Sequence, residues 1–372
     1  MAQQAKDSGA MYDLLAARGV SRRDFLKFCG SVAAMIGLAE TAAPQVAAAI
    51  QKGATLTPAI WLSQGLCTGC TESTAQSFYP DAATIVLDIL SLNYWETLSA
   101  GAGKTVEDAI TKTMTDSKGK YLVIVEGSIM TGFDGNALLI NGEKGIDVVK
   151  KVCADAAAVL AVGSCAVDGG WVAAKPNPAA ATGTGMYLKS VGVNTPVINL
   201  PTCPVNPEWV VAMIVDYLML GRLPNMDSKG RPTLIYGQTI HDNCPRRGHF
   251  ENGEFVEAFG SPEEAKNYCL FKMGCKGPQT MTNCPVVRWN ARSSWCVESG
   301  SPCIGCGNFS WVDFDAPFLE RMPGVAGISP QTVGVVVGGA ALAGLVVHGI
   351  AQTATGRMGH GAPLEEPKGG DE

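Results

Sequence analysis

WLSQGLCTGC, residues 61 to 70, runs from an apolar segment straight into two cysteines. The pattern returns twice: AVGSC ends on Cys165 after the apolar run 156–162, and INLPTC ends on Cys203 after the run 197–200. Together with apolar runs at 59–62, 84–90 and 121–125, separated by segments of helical character, this predicts an α/β unit over residues 57 to 225. Its sheet is doubly wound and mostly parallel. The carboxyl ends of strands in such a sheet open on one crevice, where ligands bind. Cys67, Cys70, Cys165 and Cys203 are therefore expected to meet there although they are far apart in the chain. Four thiolates are the complement of a cubane iron-sulfur cluster. Zinc is the rival metal, but structural zinc sites draw their ligands from local pairs, and this set is spread over three loops.

After Gly230 the alternation fades and cysteines arrive quickly: HDNC at 241–244, NYC at 267–269, GCKGP at 274–278, NCP at 283–285 and WCVESGSPCIGC at 295–306. Thirteen cysteines in 372 residues are too sparse for a disulfide scaffold. Cys153, in the apolar helical stretch VVKKVCADAAAVL, reads as core, and Cys29 lies in an N-terminal label described below. The other eleven, with His241 in H-x-x-C spacing to Cys244, make twelve donors, or three sets of four. A neutral imidazole in place of a thiolate raises a cluster's potential.

Charged residues make up 17% of the chain, against about 25% in typical soluble domains, while the apolar set reaches 47%. A net charge of −6 and the lack of a basic run exclude a nucleic-acid partner. Ser21-Arg22-Arg23-Asp24-Phe25-Leu26-Lys27 opens a moderately apolar run that ends in Ala47-Ala48-Ala49, the order of a twin-arginine export signal. That route carries folded proteins, so cofactors are inserted before export. Near the other end VGVVVGGAALAGLVVHGI, residues 333–350, is just long enough to cross a bilayer. A glycine-rich core helix is the alternative, and His348 reads as an interfacial histidine.

Together LCTGCTES, GSC, Cys203-Pro204, HDNCPRR, GCKGPQT, NCP and PCIGC, in this order and with the twin-arginine label, resemble the small subunit of nickel-iron hydrogenases over nearly the whole chain. The resemblance implies a twin-arginine signal peptide over 1–49 and a flavodoxin-like domain over 50–228 bearing a proximal 4Fe-4S cluster. An irregular iron-sulfur domain over 229–322 would hold distal and medial clusters, followed by a transmembrane anchor over 331–352 and a disordered tail over 353–372. Cys67, Cys70, Cys165 and Cys203 are then the proximal ligands, and His241, Cys244, Cys269 and Cys275 the distal 4Fe-4S ligands. Cys284, Cys303 and Cys306 belong to the medial cluster. The nickel-iron centre sits on a large subunit, an obligate partner whose apolar interface fits the low charge content. The implied function is to conduct electrons from hydrogen oxidation to a membrane cytochrome b or another quinone-reducing membrane subunit, on the periplasmic side of the cell membrane. Glu72 resembles an acidic position near the subunit boundary and is a candidate proton relay; a solvated carboxylate is the plain alternative.

Cys296 stays open between a fourth medial ligand, which makes that cluster 4Fe-4S rather than 3Fe-4S, and an ordinary buried cysteine. Oxygen-tolerant family members carry two extra cysteines beside the proximal cluster, where this chain has Gly69 and Gly170, so an ordinary, oxygen-sensitive cubane is expected. The competing readings are an iron-sulfur subunit like that of respiratory complex I, which holds one cluster, and a stand-alone ferredoxin-type carrier, whose ligands crowd into compact motifs.

Overall fold

The structure is a computed structural model and describes residues 21–35, 38–53, 57–77, 91–220, 223–320 and 348. Five parallel strands form its main sheet: β1 (Pro58–Ser63), β2 (Ser91–Trp95), β3 (Leu122–Glu126), β4 (Ala158–Val162) and β5 (Val197–Leu200). Their spatial order is β2-β1-β3-β4-β5, the flavodoxin-like arrangement. Ala59 pairs with Leu122, Leu122 with Ala158 and Val159 with Val197, so the strand ends stay level.

β3 and β4 are buried at every position, which is why LVIVE and AVLAV read as unbroken apolar runs rather than as alternation. Trp61, Leu122, Ile124, Leu160, Ile198 and Leu200 face one core. Ile60, Leu62, Val123, Val125 and Val159 face the other, against Val148, Val149, Val152 and Cys153 of α1 (Gly145–Ala154). Cys153 is thus the core residue its apolar setting predicts. The expected run at 84–90 lies outside the described residues. β2 was not foreseen: SLNYW is half-exposed on the sheet edge, so it lacks the apolar signature.

The first core is roofed by α2 (Pro207–Leu220), an almost wholly apolar helix. Against it pack two N-terminal helices, Arg22–Met35 and Ala43–Gly53, which bury Phe25, Cys29, Val32, Ala33 and Val46 in the same core. The Ala47-Ala48-Ala49 segment lies inside the second of them, with Ala47 buried.

From 223 to 320 regular structure nearly vanishes. The longest helix among the described residues there is Arg247–Glu251, and strand pairing is reduced to isolated bridges. Even so, this region and the sheet belong to one compact unit, residues 1 to 320. The apolar segment expected to anchor the chain, 331–352, lies outside the described residues except for His348, as does the tail after 352. Among the described residues no helix is long and apolar enough to cross a membrane.

Candidate functional site

The turn after β1 lifts Cys67 to the surface and buries Cys70 at the start of the short helix Gly69–Ala75. Cys165 lies in the helix Gly163–Asp168 directly after β4, and Cys203 three residues beyond β5. The backbone at Gly163 takes φ +82°, and a Cβ there would collide with Cys70 Sγ. Only glycine lets that chain segment approach the thiol so closely. Backbone amides point at the sulfurs: Val205 N donates to Cys70 Sγ at 3.3 Å and Gly69 N to Cys67 Sγ at 3.4 Å.

Burial, with Cys165 and Cys67 as further causes, pushes the Cys203 thiol up to about 11. Burial likewise raises Cys70, helped by Glu126, Cys165 and Cys203. The four thiols therefore feel one another. A cationic core that takes thiolates fits such a set, because mutual repulsion and desolvation disfavour bare thiolates. Among the described residues no three His, Cys, Asp or Glu side chains converge on a single ion; the fit rests on thiols close enough to perturb one another, with amide donors at two of the sulfurs.

Two residues of this site escaped sequence reading. Glu126, 2% exposed at the end of β3, accepts hydrogen bonds from Cys70 N (3.0 Å), Thr71 N (3.2 Å), Thr71 Oγ1 (2.6 Å) and Trp61 Nε1 (3.1 Å). It holds the turn that carries Cys70. The signal was an acid closing the apolar run LVIVE, at a strand end that faces the crevice. Trp171 offers its backbone amide to Cys165 and its side chain to Cys203, yet is 52% exposed. Gly170, at φ +47°, brings that amide in, and a Cβ on it would stand 3.0 Å from Cys165 Sγ.

His241, Cys244, Cys269 and Cys275 line one small cavity with Arg246, Phe271 and Gly277. Burial first, and Arg247 second, hold the His241 imidazole below its ordinary value, which keeps it neutral as ligation requires. Its ring stands edge-on to Phe250 at 4.6 Å. Arg246, 6% exposed, donates to the Tyr268 carbonyl at 2.9 Å and places a buried cation among these thiols.

Cys284, Cys296, Cys303 and Cys306 line a second, larger cavity, which also takes in Cys203 and the exposed Glu72. Thr282 Oγ1 donates to Cys284 Sγ at 2.9 Å and Gly305 N to Cys303 Sγ at 3.4 Å. Burial raises Cys284 to about 11, and the proximity of Cys296 adds to the rise. Cys296 acts on Cys306 in the same sense. The structure places Cys296, itself exposed, in the wall of the same cavity as the three thiols that the sequence left it apart from. Cys303 N also donates to Cys275 Sγ at 3.3 Å, which joins this group to the His241 group.

The family that represents the C-terminal part of the NiFe/NiFeSe hydrogenase small subunit matches residues 236–319, and that described as NADH ubiquinone oxidoreductase, 20 Kd subunit, matches 67–217. The chain is 44% identical over 310 residues to the periplasmic [NiFe] hydrogenase small subunit 1 of Nitratidesulfovibrio vulgaris, covering 82% of this chain and 95% of that one. It is 40% identical over 309 residues to the quinone-reactive Ni/Fe-hydrogenase small chain of Wolinella succinogenes, covering 82% and 86%. Among solved structures, the recombinant [NiFeSe] hydrogenase from Desulfovibrio vulgaris Hildenborough in the oxidised state superposes with a TM-score of 0.67 at 33% identity, over 72% of this chain and 98% of that one.

Proposed function

The chain belongs to the small subunits of nickel-iron hydrogenases, and from that premise we propose that it is the electron wire of an uptake enzyme. In this reading it holds three iron-sulfur clusters in a row. Cys67, Cys70, Cys165 and Cys203 hold the proximal 4Fe-4S cluster, Cys284, Cys296, Cys303 and Cys306 a medial 4Fe-4S cluster, and His241, Cys244, Cys269 and Cys275 the distal 4Fe-4S cluster. When bound, the clusters supply one-electron carriers in series.

The observation that carries the order is contact between successive ligand sets. Cys203 lines the cavity of the medial thiols, and medial Cys303 is hydrogen-bonded to distal Cys275. The second half of the wire sets this chain apart from a one-cluster subunit of complex I, whose likeness stops at residue 217.

The chain's own residues orient and insulate. Glu126 fixes the Cys70 turn, the two cores keep water from the crevice floor, and neutral His241 lowers the negative charge at the distal end. With glycine at 69 and 170, the proximal cluster is an ordinary cubane and the enzyme loses activity in air. Glu72, exposed on the rim of the cavity shared by Cys203 and Cys284, remains the candidate proton relay. The large subunit supplies the nickel-iron centre. By analogy with the quinone-reactive relative, the acceptor is a membrane protein such as a cytochrome b. The twin-arginine segment directs export through the twin-arginine machinery to the periplasmic face of the membrane, and 331–352 anchors the chain there.

Iron analysis and hydrogen-dependent dye reduction test the reading together. The purified heterodimer should carry about twelve irons on this chain, as three four-iron clusters require, and reduce dye under hydrogen. The small subunit alone should carry the same iron and reduce none. About four irons, or dye reduction by the isolated chain, overturns it.

A further inference from the structure

The junction between the sheet and the irregular region is made at Cys306. Ser164 Oγ donates to the Cys306 carbonyl at 2.9 Å across 142 positions of chain. The backbone amide of Cys203 faces the Cys306 thiol. Ser164 itself is 2% exposed, directly precedes Cys165, and donates its own amide to the Thr202 carbonyl at 2.9 Å. One residue thus links three segments: its side chain bonds the medial Cys306, its main-chain amide bonds Thr202 beside proximal Cys203, and it directly precedes proximal Cys165.

The next junction is built differently. Between the medial and distal sets, Cys303 N donates to Cys275 Sγ at 3.3 Å and Lys276 N to the Cys303 carbonyl at 2.8 Å. Those are backbone amides that close on each other in neighbouring turns. At the first junction a sheet must be registered against a loop from far along the chain, and a side chain makes the carbonyl bond.

Resting on the ligand assignment above, we propose that Ser164 is a positioning residue for electron transfer between the proximal and medial clusters. Its hydroxyl holds the Cys306 carbonyl and so keeps the Cys306 sulfur against the Cys203 amide. Hydrogen bonds to cluster sulfurs stabilise the more negative, reduced state and raise the potential. Loosening this bond should therefore move the medial potential downward and weaken the link to the proximal ligand at the same time.

The test uses the whole heterodimer with Ser164→Ala, Ser164→Thr, which keeps the hydroxyl, and Thr184→Val as a control. Thr184 is fully buried, and among the described residues its hydroxyl has no hydrogen-bond partner. Three quantities are read: iron content, the medial midpoint potential by redox-poised electron paramagnetic resonance, and the time for the distal cluster to become reduced after mixing with hydrogen. In Ser164→Ala the potential should fall and distal reduction should slow severalfold at unchanged iron, while Ser164→Thr and Thr184→Val stay near wild type. Selective loss of medial iron in Ser164→Ala, with all three clusters present in Ser164→Thr, supports the same role. An unmoved potential in Ser164→Ala, an equal shift in Thr184→Val, or equal failure of the alanine and threonine variants overturns it. A wild-type enzyme lacking three cluster signals would instead sink the ligand assignment, and the role of Ser164 with it.

Discussion

The two cysteine-bearing regions solve one problem by opposite means. In the sheet region, four thiols ride on the ends of strands whose positions are set by two apolar cores, and the buried charge beside them is an anion, Glu126. In the region after residue 223 there is no sheet to ride on; thiols sit in turns, and the buried charged side chains are three cations, Arg231, Arg246 and Lys276, and one anion, Asp315. The first region folds around hydrocarbon and presents a site. The second has little regular structure, and in the proposed reading its metal-bound cysteines help to hold it together. The charges differ in consequence as well. An anion near a cluster disfavours its reduction and a cation favours it, so Glu126 at the Cys70 turn and Arg246 in the His241 cavity would push the two ends in opposite directions.

Removing iron is the largest perturbation that separates the regions. Chelation under reducing conditions should abolish amide-exchange protection across 241–306 while β3 and β4 stay protected; equal loss in both regions would break the contrast. Next comes Cys296→Pro, which should convert the medial cluster to 3Fe-4S, seen as a nearly isotropic resonance in the oxidised protein and the loss of about one iron in twelve. The same resonance in the wild type would return Cys296 to the role of bystander.

Glu126→Ala leaves the amides of Cys70 and Thr71 and the Trp61 indole without their acceptor in a dry place. About 3 kcal/mol of local stability should go, read as faster exchange in β1 and the helix that carries Cys70. Glu126→Gln keeps an acceptor and removes the charge, so it should cost less stability but raise the proximal potential. Arg246→Gln should do the reverse at the other end, lowering the distal potential by about 60 mV, the equivalent of a tenfold change in a one-electron equilibrium. Shifts of the same sign at both ends would dissolve the electrostatic contrast.

The smallest effect concerns acid. Burial pushes the Asp227 carboxyl up, but hydrogen bonds from the Arg231 main chain and side chain outweigh it and leave the group below the usual carboxylate range. A depressed carboxylate contributes stability above its unfolded value of about 3.9 and loses it as pH falls through the lower folded value. Asp227→Asn should therefore flatten the loss of exchange protection around 227–231 below about pH 4, and change little at neutral pH.

Much of this was legible in the chain itself. The strands β1, β3, β4 and β5, the cysteines behind them and the membership of Cys153 in the core follow from local patterns, because a strand buried on both faces must be apolar at every step and a ligand at its end needs no distant information. Edge strand β2 was not legible, since half-exposed SLNYW carries no such mark. Glu126 was visible as an acid after an apolar run, but its four donors come from β1 and the turn beyond it, which only strand pairing brings near. The same holds for Cys296 beside Cys284 and for Ser164 beneath Cys306. Residue type and spacing declare which atoms can bind iron, because ligand chemistry is local. Which thiol meets which, and which charge lies beside them, was decided by tertiary packing, because contacts across 142 positions are set by how the cores close and not by anything written near either residue.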